Sequence, residues 1–389
     1  MTFSKNFLRR QDGIILFTSL AILAALLMVG LGSRVMLQND YRVLTNLRGG
    51  ADAFYLSSAG LEWGKNEIAI ATSFPPAPAD RTENFARGAF AVSFLAPTAV
   101  GPLKAKIVVR SVGTLGSASH TLQAQLTKTY DLVDGAIGLR GSGSRVILNS
   151  GGIFISGIDH DPTNGNPDLS AKPRAAVSGD NDSLLALVEQ ASANLPQGNL
   201  QSGGSIATTT ASEYLPSAKV SQLANSLCGQ GGAILSTVPT AGALLYENQT
   251  WGRRAEPQLR CIDGLVDTGD SVTLAGAMSG VGILIVRNSD LLLTGSLHWE
   301  GLIIVTGGDV SFKSTGMDNK EVFGGVLVNE TGIPSGAKAI LDVQGNLRLL
   351  FSRQPLAQAA ALVASSTLNS TYPSLPARLT QDYWRTVTP

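Results

Sequence analysis

The segment from residue 14 to residue 31 constrains this chain most, because it is apolar over eighteen residues and is flanked by basic ones. Only Thr18 and Ser19 interrupt it, Arg10 lies shortly before it and Arg34 follows it. As a helix it would be about 27 Å long, close to the hydrocarbon thickness of a bilayer. The segment can therefore span a membrane, and the preceding basic residues predict a cytoplasmic N-terminus with everything after Arg34 outside.

The helical pattern continues beyond this apolar segment. Apolar residues that share one helix face follow at steps of three and four, or their sums, at Leu44, Leu47, Ala51, Phe54, Leu61 and Ile68. An uninterrupted helix from Ile14 to about Ile70 would be about 84 Å long. A cleavable secretory signal needs no such continuation. The small residues Gly30 and Gly32 nevertheless leave cleavage by signal peptidase open as the alternative.

Two motifs near the start of the chain resemble those of the type IV pilin superfamily. A short basic leader that ends in glycine, KNFLRRQDG, precedes the apolar segment as in class III signal peptides. The later stretch NLRGGADAFYLSSAGLEWG is similar to the N-terminal motif of minor pilins of the PilX type, although Ser58 stands where that family commonly has glutamate. The matching positions of the second motif are Asn46, Ala53, Phe54, Ala59, Gly60, Leu61 and Glu62.

The resemblance implies a processing site and an assembly surface. Prepilin peptidase would cut after Gly13 and leave Ile14 as a methylated N-terminus. Thr18 would then be the fifth mature residue, where shaft pilins usually carry a glutamate that neutralises a neighbour's N-terminal amine. Because an unpaired charge in a bilayer or filament core is costly, threonine favours a tip subunit; variability at this position is the alternative. The implied membrane and filament core residues are Ile14, Ile15, Leu16, Phe17, Thr18, Leu20, Ile22, Leu23, Leu26 and Leu27.

After the helix, the sequence predicts a small antiparallel sheet. Three prolines in residues 72–80 end the helix, and alternating strands are expected at 89–95, 105–111 and 120–128. The last two strands flank the turn VGTLGSAS, which resembles the closing hairpin of minor pilins. A long helix against such a sheet is the pilin fold, so residues 14–130 would form a complete pilin module.

Residues 131–370 are rich in glycine and predict a second, mostly β region. Gly282, Gly301 and Gly325 each precede a short β-branched run, and their positions are 19 and 24 residues apart. Such repeats favour the stacked coils of a β-solenoid, and fully apolar strands suit parallel sheets that are buried on both faces. An irregular β-sandwich is the alternative. Residues 136–161 are expected to open the same structure, and helices are expected at 183–194, 218–227 and 356–365.

The fold class expected from these observations is α+β. A long N-terminal pilin helix packs on a small antiparallel sheet, and a glycine-rich β domain follows that is β-solenoid-like or, alternatively, a β-sandwich. The predicted domains are a class III leader peptide at 1–13, the transmembrane/pilin helix at 14–70, the antiparallel sheet at 71–130, the β domain with a helical insertion at 131–370, and a C-terminal tail at 371–389.

Composition limits the functional classes. Lys and Arg together number 29, as do Asp and Glu, and only 15% of residues are charged. The chain therefore lacks the basic excess typical of nucleic-acid binding. Cys228 and Cys261, its two cysteines, would pair in an exported protein. The chain-entropy model values such a disulfide at about 3 to 4 kcal/mol, and two buried free thiols are the alternative.

One loop has the side-chain oxygens that calcium prefers. The stretch GIDHDPTNGNPD supplies Asp159, Asp161, Asn164, Asn166 and Asp168, and calcium takes six to eight such hard ligands from flexible loops. The glycine falls one place too late for an EF-hand. An acidic solvated turn is the alternative, and no other cofactor is expected.

Catalytic signatures are absent from the sequence. It contains no G-x-S-x-G elbow, no H-E-x-x-H pair and no G-x-x-x-x-G-K-[ST] phosphate loop, so we do not expect an enzyme. A polysaccharide enzyme on a β-solenoid would use carboxylates that no short motif reveals. Its candidates here would be Asp290, Glu300, Asp309 and Asp318.

Together these features favour a minor pilin-like subunit of a type IV pilus, at or near the tip, that displays a large extracellular β domain. The expected partners are other pilins and minor pilins, prepilin peptidase, the inner-membrane assembly platform and, before assembly, the lipid bilayer. The chain would first span the inner membrane once with its C-terminal domain in the periplasm, and later lie in the pilus at the cell surface. A pilus-borne adhesin, a type II secretion pseudopilin and a signal-anchored β-solenoid polysaccharide enzyme are the alternatives.

Overall fold

A computed structural model describes most of the chain. It covers residues 5–71, 73–101, 103–141, 145–171, 173–193, 195–196, 198–201, 207–208, 215–239, 242–265, 270–332, 339–363 and 377–387, with side chains described from Ile15 onward except at 101, 207 and 208. The helices in this part are α1 (Lys5–Ile70), α2 (Asp182–Ser192), α3 (Ser217–Cys228) and α4 (Arg353–Ala360).

The strands number twenty-five in the described residues, and they fall into two groups. Those of the N-terminal antiparallel sheet are β1 (Arg81–Phe85), β2 (Gly88–Gly101), β3 (Lys104–Leu115), β4 (Ala118–Tyr130) and, from the end of the chain, β25 (Ala377–Thr386). The others are β5 (Gly135–Arg140), β6 (Arg145–Leu148), β7 (Ile153–Ser156), β8 (Asp159–His160), β9 (Pro167–Asp168), β10 (Ala175–Gly179), β11 (Leu200–Gln201), β12 (Ala207–Thr208), β13 (Ile234–Thr237), β14 (Ala243–Glu247), β15 (Thr250–Trp251), β16 (Gln258–Asp263), β17 (Ser271–Ala275), β18 (Ala277–Arg287), β19 (Asp290–Leu293), β20 (Ser296–Gly307), β21 (Phe312–Ser314), β22 (Lys320–Glu330), β23 (Ala339–Val343) and β24 (Leu347–Phe351).

The long helix that the sequence predicts is present. α1 runs over 66 residues without a break and ends at Ile70, as expected. Its last carbonyls have no partner within the helix, and the buried Lys128 supplies one. The Lys128 ammonium donates hydrogen bonds to the carbonyls of Ile68, Ala69 and Ala71 at 2.8, 2.9 and 3.0 Å. This contact ties the end of the helix to β4.

The antiparallel sheet has the order β1-β2-β3-β4-β25. β2, β3 and β4 include the three strands that the sequence predicts, and β3 and β4 form the expected hairpin. β25 comes from the segment that the sequence analysis sets apart as a tail. It pairs with β4 from Ala377 opposite Tyr130 to Thr386 opposite Leu122, so the end of the chain returns to the N-terminal region.

The sheet covers only the last part of α1. Ala53, Leu61 and Ile68 are buried against it, whereas Leu44 and Leu47, which the periodicity places on the same face, are 64% and 66% exposed. The sheet therefore leaves the middle of this face uncovered, and Ala51 is exposed as well. The hairpin between β3 and β4 ends near Gly49, where an added Cβ would lie 3.4 Å from the Ala118 Cβ, and the sheet does not continue beyond it.

Two parallel sheets make up most of the remaining chain, and from β16 to β24 successive strands alternate between them. The first has the order β11-β7-β24-β22-β20-β18-β16-β13, with β5, β10, β12 and β15 attached, and the second has the order β14-β17-β19-β21-β23-β6. The apolar runs at 283–286 and 302–305 are fully buried on both faces, as the sequence predicts. The expected mostly-β region is therefore confirmed, and its two large sheets are parallel.

A row of glycines crosses three neighbouring strands of the first sheet. Gly282, Gly301 and Gly324 are paired in register, with φ values of +131, +133 and +138°. A Cβ on Gly301 would lie 2.0 Å from the carbonyl oxygen of Gly282, so only glycine fits. The sequence analysis named Gly325 as the third member. That assignment is wrong by one residue, because Gly325 pairs with Leu302.

The strands β5, β6 and β7, within residues 136–161, belong to the same two sheets, but they lie at the opposite end from β13. β8 instead pairs with β9 in a small antiparallel sheet. β5 pairs with β22, β6 with β23 and β7 with β24, so the first strands of the β domain join its last ones. α2 and α3 lie close to their predicted positions. α4 begins three residues early because the Asp159 carboxylate accepts the backbone N–H of Arg353 at 2.9 Å. It ends at Ala360 and not at the predicted residue 365, because the next N–H groups bond to carbonyls three residues back, in a turn.

Candidate functional site

The apolar segment of α1 is uncovered. Its large side chains are 59 to 73% exposed, a fraction that core residues of a soluble protein do not show. Within the described residues, α1 is the one helix long and apolar enough to cross a membrane by length and composition. The predicted membrane and filament core residues lie on this surface: Ile15, Leu16, Phe17, Thr18, Leu20, Ile22, Leu23, Leu26 and Leu27.

The two hydroxyl groups in this segment are satisfied within the helix. Thr18 Oγ1 donates to the carbonyl of Ile15 at 3.0 Å, and Ser19 Oγ donates to that of Leu16 at 2.9 Å. A bilayer offers no water to polar groups, so hydroxyls that bond to their own helix are compatible with a lipid environment.

The predicted processing residues lie near the start of α1. Gly13 and Ile14 fall within its helical backbone, and the side chain of Ile14 lies outside the described residues. Cleavage after Gly13 stays a prediction.

The second family motif divides between two faces of α1. Phe54, Gly60 and Leu61 face the sheet, and the Phe54 ring meets the His120 ring edge-on at 5.1 Å. A Cβ on Gly60 would lie 2.3 Å from Ser111 Oγ, so glycine lets β3 approach the helix closely. Asn46, Ala59 and Glu62 face outward, and Glu62 is paired at 2.6 Å with Lys65 on its own helix.

Gly64 and Gly113 extend this close approach, and the sequence analysis did not assign them a role. A Cβ on Gly64 would lie 2.8 Å from a methyl group of Val109, and one on Gly113 would lie 2.1 Å from the carbonyl oxygen of Ala53. Gly60 and Gly64 are four residues apart and therefore share a helix face. That spacing is the signal that sequence reasoning had available.

The oxygen-rich loop keeps most of its side chains for its own backbone. Asp161, Asn164 and Asp168 each accept a hydrogen bond from a backbone N–H two residues further on, at 2.8 to 2.9 Å. Asp159 instead pairs with the Arg353 guanidinium at 3.0 Å. Asn166 takes part through its backbone N–H, which donates to the Asn164 side chain. Calcium binding by these residues stays a prediction. Among the described residues, no group of three or more His, Cys, Asp or Glu side chains is arranged to hold a metal ion.

Cys228 and Cys261 form a disulfide, with 5.7 Å between their Cα atoms. Cys228 ends α3 and Cys261 lies in β16, so the bond fixes the helical insertion to the first parallel sheet.

His298 and Glu300 lie in β20 of the first parallel sheet. β20 pairs with β18 from Ser296 and with β22 from Leu297. Glu300 accepts hydrogen bonds from Arg254 at 2.6 and 2.9 Å and from His298 at 3.1 Å. Burial by itself raises the pKa of Glu300, but these hydrogen bonds outweigh it and hold the pKa below its usual value.

Two of the carboxylates considered for a polysaccharide enzyme lie in different sheets. Asp290 lies in β19 of the second sheet and pairs with Lys313 at 2.7 Å, whereas Glu300 lies in β20 of the first sheet. Paired acid catalysis on a glycoside needs two carboxyl groups that flank one bond. Whether the chain is an enzyme stays a prediction.

Comparison with solved structures gives a resemblance to a pilin. Among solved structures, the chain is similar to the competence-associated pilin ComZ from Thermus thermophilus, with 13% identity, 87% of this chain and 98% of that chain covered, and a TM-score of 0.23. At that TM-score the similarity does not establish a shared overall arrangement, so the inferences below start from the chain's own residues. No family model and no curated protein matches the chain.

Proposed function

We propose that this chain is a minor pilin-like subunit of a type IV pilus. The observation that carries the proposal is the division of α1 into two parts. Its apolar part is uncovered, while residues 53–68 pack on the antiparallel sheet. Burying one Leu, Ile or Phe side chain stabilises a protein by about 1.5 to 3 kcal/mol. A row of such side chains therefore requires a lipid bilayer or other helices around it.

The same surface suits both environments in turn. In the bilayer, the helix satisfies its own backbone groups and its two hydroxyls. In a filament, sister helices would cover it. Gly30 and Gly32 have no atom within 4 Å of an added Cβ, so they offer small, open positions at which helices can approach closely.

Thr18 supports a position at or near the tip. Its hydroxyl is engaged with its own helix and carries no charge, so it does not neutralise the N-terminal amine of a neighbouring subunit. The size of the β domain supports the same position, because the tip leaves more space for a large appended domain than the shaft does.

The β domain serves display rather than catalysis in this proposal. The alternation of strands between two parallel sheets from β16 to β24 supports a solenoid. The processing enzyme, assembly platform and sister pilins that the family implies remain the proposed partners, with the periplasm and then the cell surface as the proposed location.

A charge in the apolar segment tests the proposal. Leu23→Arg places a guanidinium where the helix would meet hydrocarbon, which costs about 2.5 to 3.5 kcal/mol. We expect the amount recovered in membranes and in sheared filaments to fall on the order of a hundredfold. Gln38→Arg is the matched control, since Gln38 is exposed on the same helix outside this segment. Equal recovery of both variants would contradict the proposal.

A further inference from the structure

A polar groove lies between α3 and the first parallel sheet. Its volume is about 450 Å³, enough for a small molecule. Side chains from α3, from three strands and from a turn line it: Ser221, Asn225, Asp263, Arg287, Thr306 and Thr331. Neither the family resemblance nor the proposed role of the chain in a filament makes use of this groove.

The floor of the groove is built from one row of the sheet. Asp263, Arg287 and Thr306 are paired in register on β16, β18 and β20, and Asn329 continues the row on β22. Each lies at the carboxyl end of its strand or one residue before it. The carboxyl ends of parallel strands are a common place for ligands, because chain turns leave a crevice there.

The charges in the groove cancel. Arg287 binds the Asp263 carboxylate with two hydrogen bonds of 2.5 Å, and its remaining Nη1 donates to Asn225 Oδ1 at 2.9 Å. These are the charged side chains among the described residues that line the groove. A paired carboxylate and guanidinium give no net attraction to an ionic ligand, so the groove favours a neutral one.

Two hydroxyl groups are oriented by a buried amide. Asn329, which is fully buried, donates from Nδ2 to Ser221 Oγ at 2.8 Å and to Thr306 Oγ1 at 2.9 Å. The two hydroxyls lie 3.4 Å apart, so one of their hydrogens can join them. Asn329 Nδ2 also lies 3.1 Å from the Ser217 carbonyl oxygen, so its two hydrogens are shared among three acceptors.

Asn329 also has a buried atom without a partner. Among the described residues, its Oδ1 accepts no hydrogen bond. Buried acceptors of this kind are usually satisfied by an ordered water or a ligand hydroxyl. Asn329 lies beneath the residues that line the groove, so this acceptor belongs to the support of the groove and not to its surface.

The disulfide holds the two walls of the groove together. Cys228 lies three residues after Asn225 on α3, and Cys261 lies two residues before Asp263 on β16. The cross-link thus fixes the helix wall to the sheet wall at the position where the ligand would lie. A preformed site of this kind loses less entropy on binding.

We propose that this groove binds one neutral sugar residue. A sugar presents several hydroxyls that both donate and accept, which matches the mixture of amide, hydroxyl and ion-paired groups in the groove. The described lining residues include no aromatic or large apolar side chain on which a nucleobase or an apolar group would pack. The site does not depend on the filament role and would exist in a chain that never assembles.

The test is direct binding by the full chain in a detergent whose head group is not a sugar. The probes are methyl glycosides of neutral hexoses and N-acetylhexosamines, with a charged sugar acid and an amino sugar for comparison. Calorimetry and saturation-transfer NMR measure the binding. Binding of the free sugar is compared with binding of the same sugar at the end of a bead-linked glycan. Binding of either supports the site and shows whether it takes a free sugar or a glycan end.

We expect saturable binding of at least one neutral sugar. Asn225→Ala and Thr331→Val, both at exposed positions, each remove a polar group and should weaken binding about tenfold. Asn149→Ala is the matched control, because Asn149 is an exposed asparagine in a different polar cleft. The proposal is overturned by no saturable binding of any neutral sugar, by unchanged binding in both groove variants, or by preference for a charged sugar.

Discussion

The N-terminal helix exposes its apolar residues, whereas the two parallel sheets bury theirs. In α1, the leucines and isoleucines of the apolar segment are about two-thirds exposed, whereas Ile283 and Leu302 in β18 and β20 are fully buried. The central strands of the parallel sheets are thus covered within one chain. The helix is not, because its apolar surface needs surroundings that a single chain does not provide. In the proposed function, the helix depends on assembly and the β domain is displayed.

Glycine has different roles in these two regions. Gly30 and Gly32 have ordinary helical backbones and open space around them, so their role would appear only when another helix approaches. Gly282, Gly301 and Gly324 are required by the single chain, because their backbone conformation and the contact with the preceding strand both exclude a Cβ. A substitution should therefore affect folding in the second group and assembly in the first.

The largest expected effect comes from Gly301→Ala. The added Cβ meets the carbonyl oxygen of Gly282 in a strained backbone conformation, so we expect the free energy of unfolding of the β domain to fall by on the order of 4 kcal/mol or more. Fluorescence of the buried Trp251 and Trp299 reports this region during urea unfolding. Gly151→Ala, where no atom lies within 4 Å of the added Cβ, is the control. A loss no greater than that of the control would show that the glycine row is not required.

Reduction of the disulfide should give the next largest effect. The bond closes a loop with a sequence separation of 33 residues, which the chain-entropy model values at about 3 to 4 kcal/mol. The loss should appear in the β domain and not in the antiparallel sheet, which contains no cysteine. Thermal unfolding with and without reductant, followed at Trp251 and at Trp384 in β25, measures both regions. Equal destabilisation of the two regions would contradict their independence.

The pH dependence of the helix–sheet contact should be smaller. Burial lowers the pKa of Lys128 from 10.5 to about 8. Between about pH 8 and pH 10 the unfolded state holds a proton that the folded state has released, so the free energy of unfolding rises with pH. Discounted for partial solvation, the gain is roughly 1 to 2 kcal/mol.

Lys128→Met provides the control for this titration, since it should reduce the rise and leave only the contribution of Lys320, whose pKa burial also lowers. Measurements should stop near pH 10, because burial raises the pKa of Tyr130 from 10 to about 12. Above pH 10 the titration of Tyr130 lowers the free energy of unfolding and opposes the effect of Lys128. A flat or falling curve for the unsubstituted chain between pH 8 and pH 10 would contradict the expected sign.

Thr18→Glu should give the smallest change and sharpens the assignment of position. A glutamate at this position supplies the charge that pairs with a neighbour's N-terminal amine, so we expect about threefold more copies per filament. Ser19→Glu is the matched control, since it places the same charge one residue away on another side of the helix. Quantitative immunoblotting of sheared filaments measures the ratio. Equal copy numbers for both variants would count against a tip position set by Thr18.

Much of the fold is predictable where the pattern is local. The helix to Ile70 and the hairpin of β3 and β4 follow from periodicity and turn residues that lie close together in the sequence. β25 is not predictable in this way, because its partner β4 lies about 250 residues earlier in the chain. The exposure of Leu44 and Leu47 was also missed, since periodicity marks an apolar face without showing how far the sheet extends along it.

The third glycine and the polar groove show the limits of reading repeats. Gly324 and Gly325 are adjacent, so the sequence alone does not tell which of them occupies the strained position. Arg287, Thr306 and Asn329 each follow a glycine of the row by five positions. That common offset was available in the sequence. The offset becomes informative only once Gly324, and not Gly325, is known to be the third glycine of the row. Without it, Arg287, Thr306 and Asn329 each resemble an ordinary solvated residue at the end of a strand.

The most direct test of the central claim is the N-terminal sequence of the chain recovered from sheared filaments, measured by mass spectrometry. We predict that it begins at Ile14, with the whole apolar segment of α1 retained and co-purifying with pilins. A chain that begins near Ser33, or that is recovered without α1 as a free extracellular protein, would contradict the account.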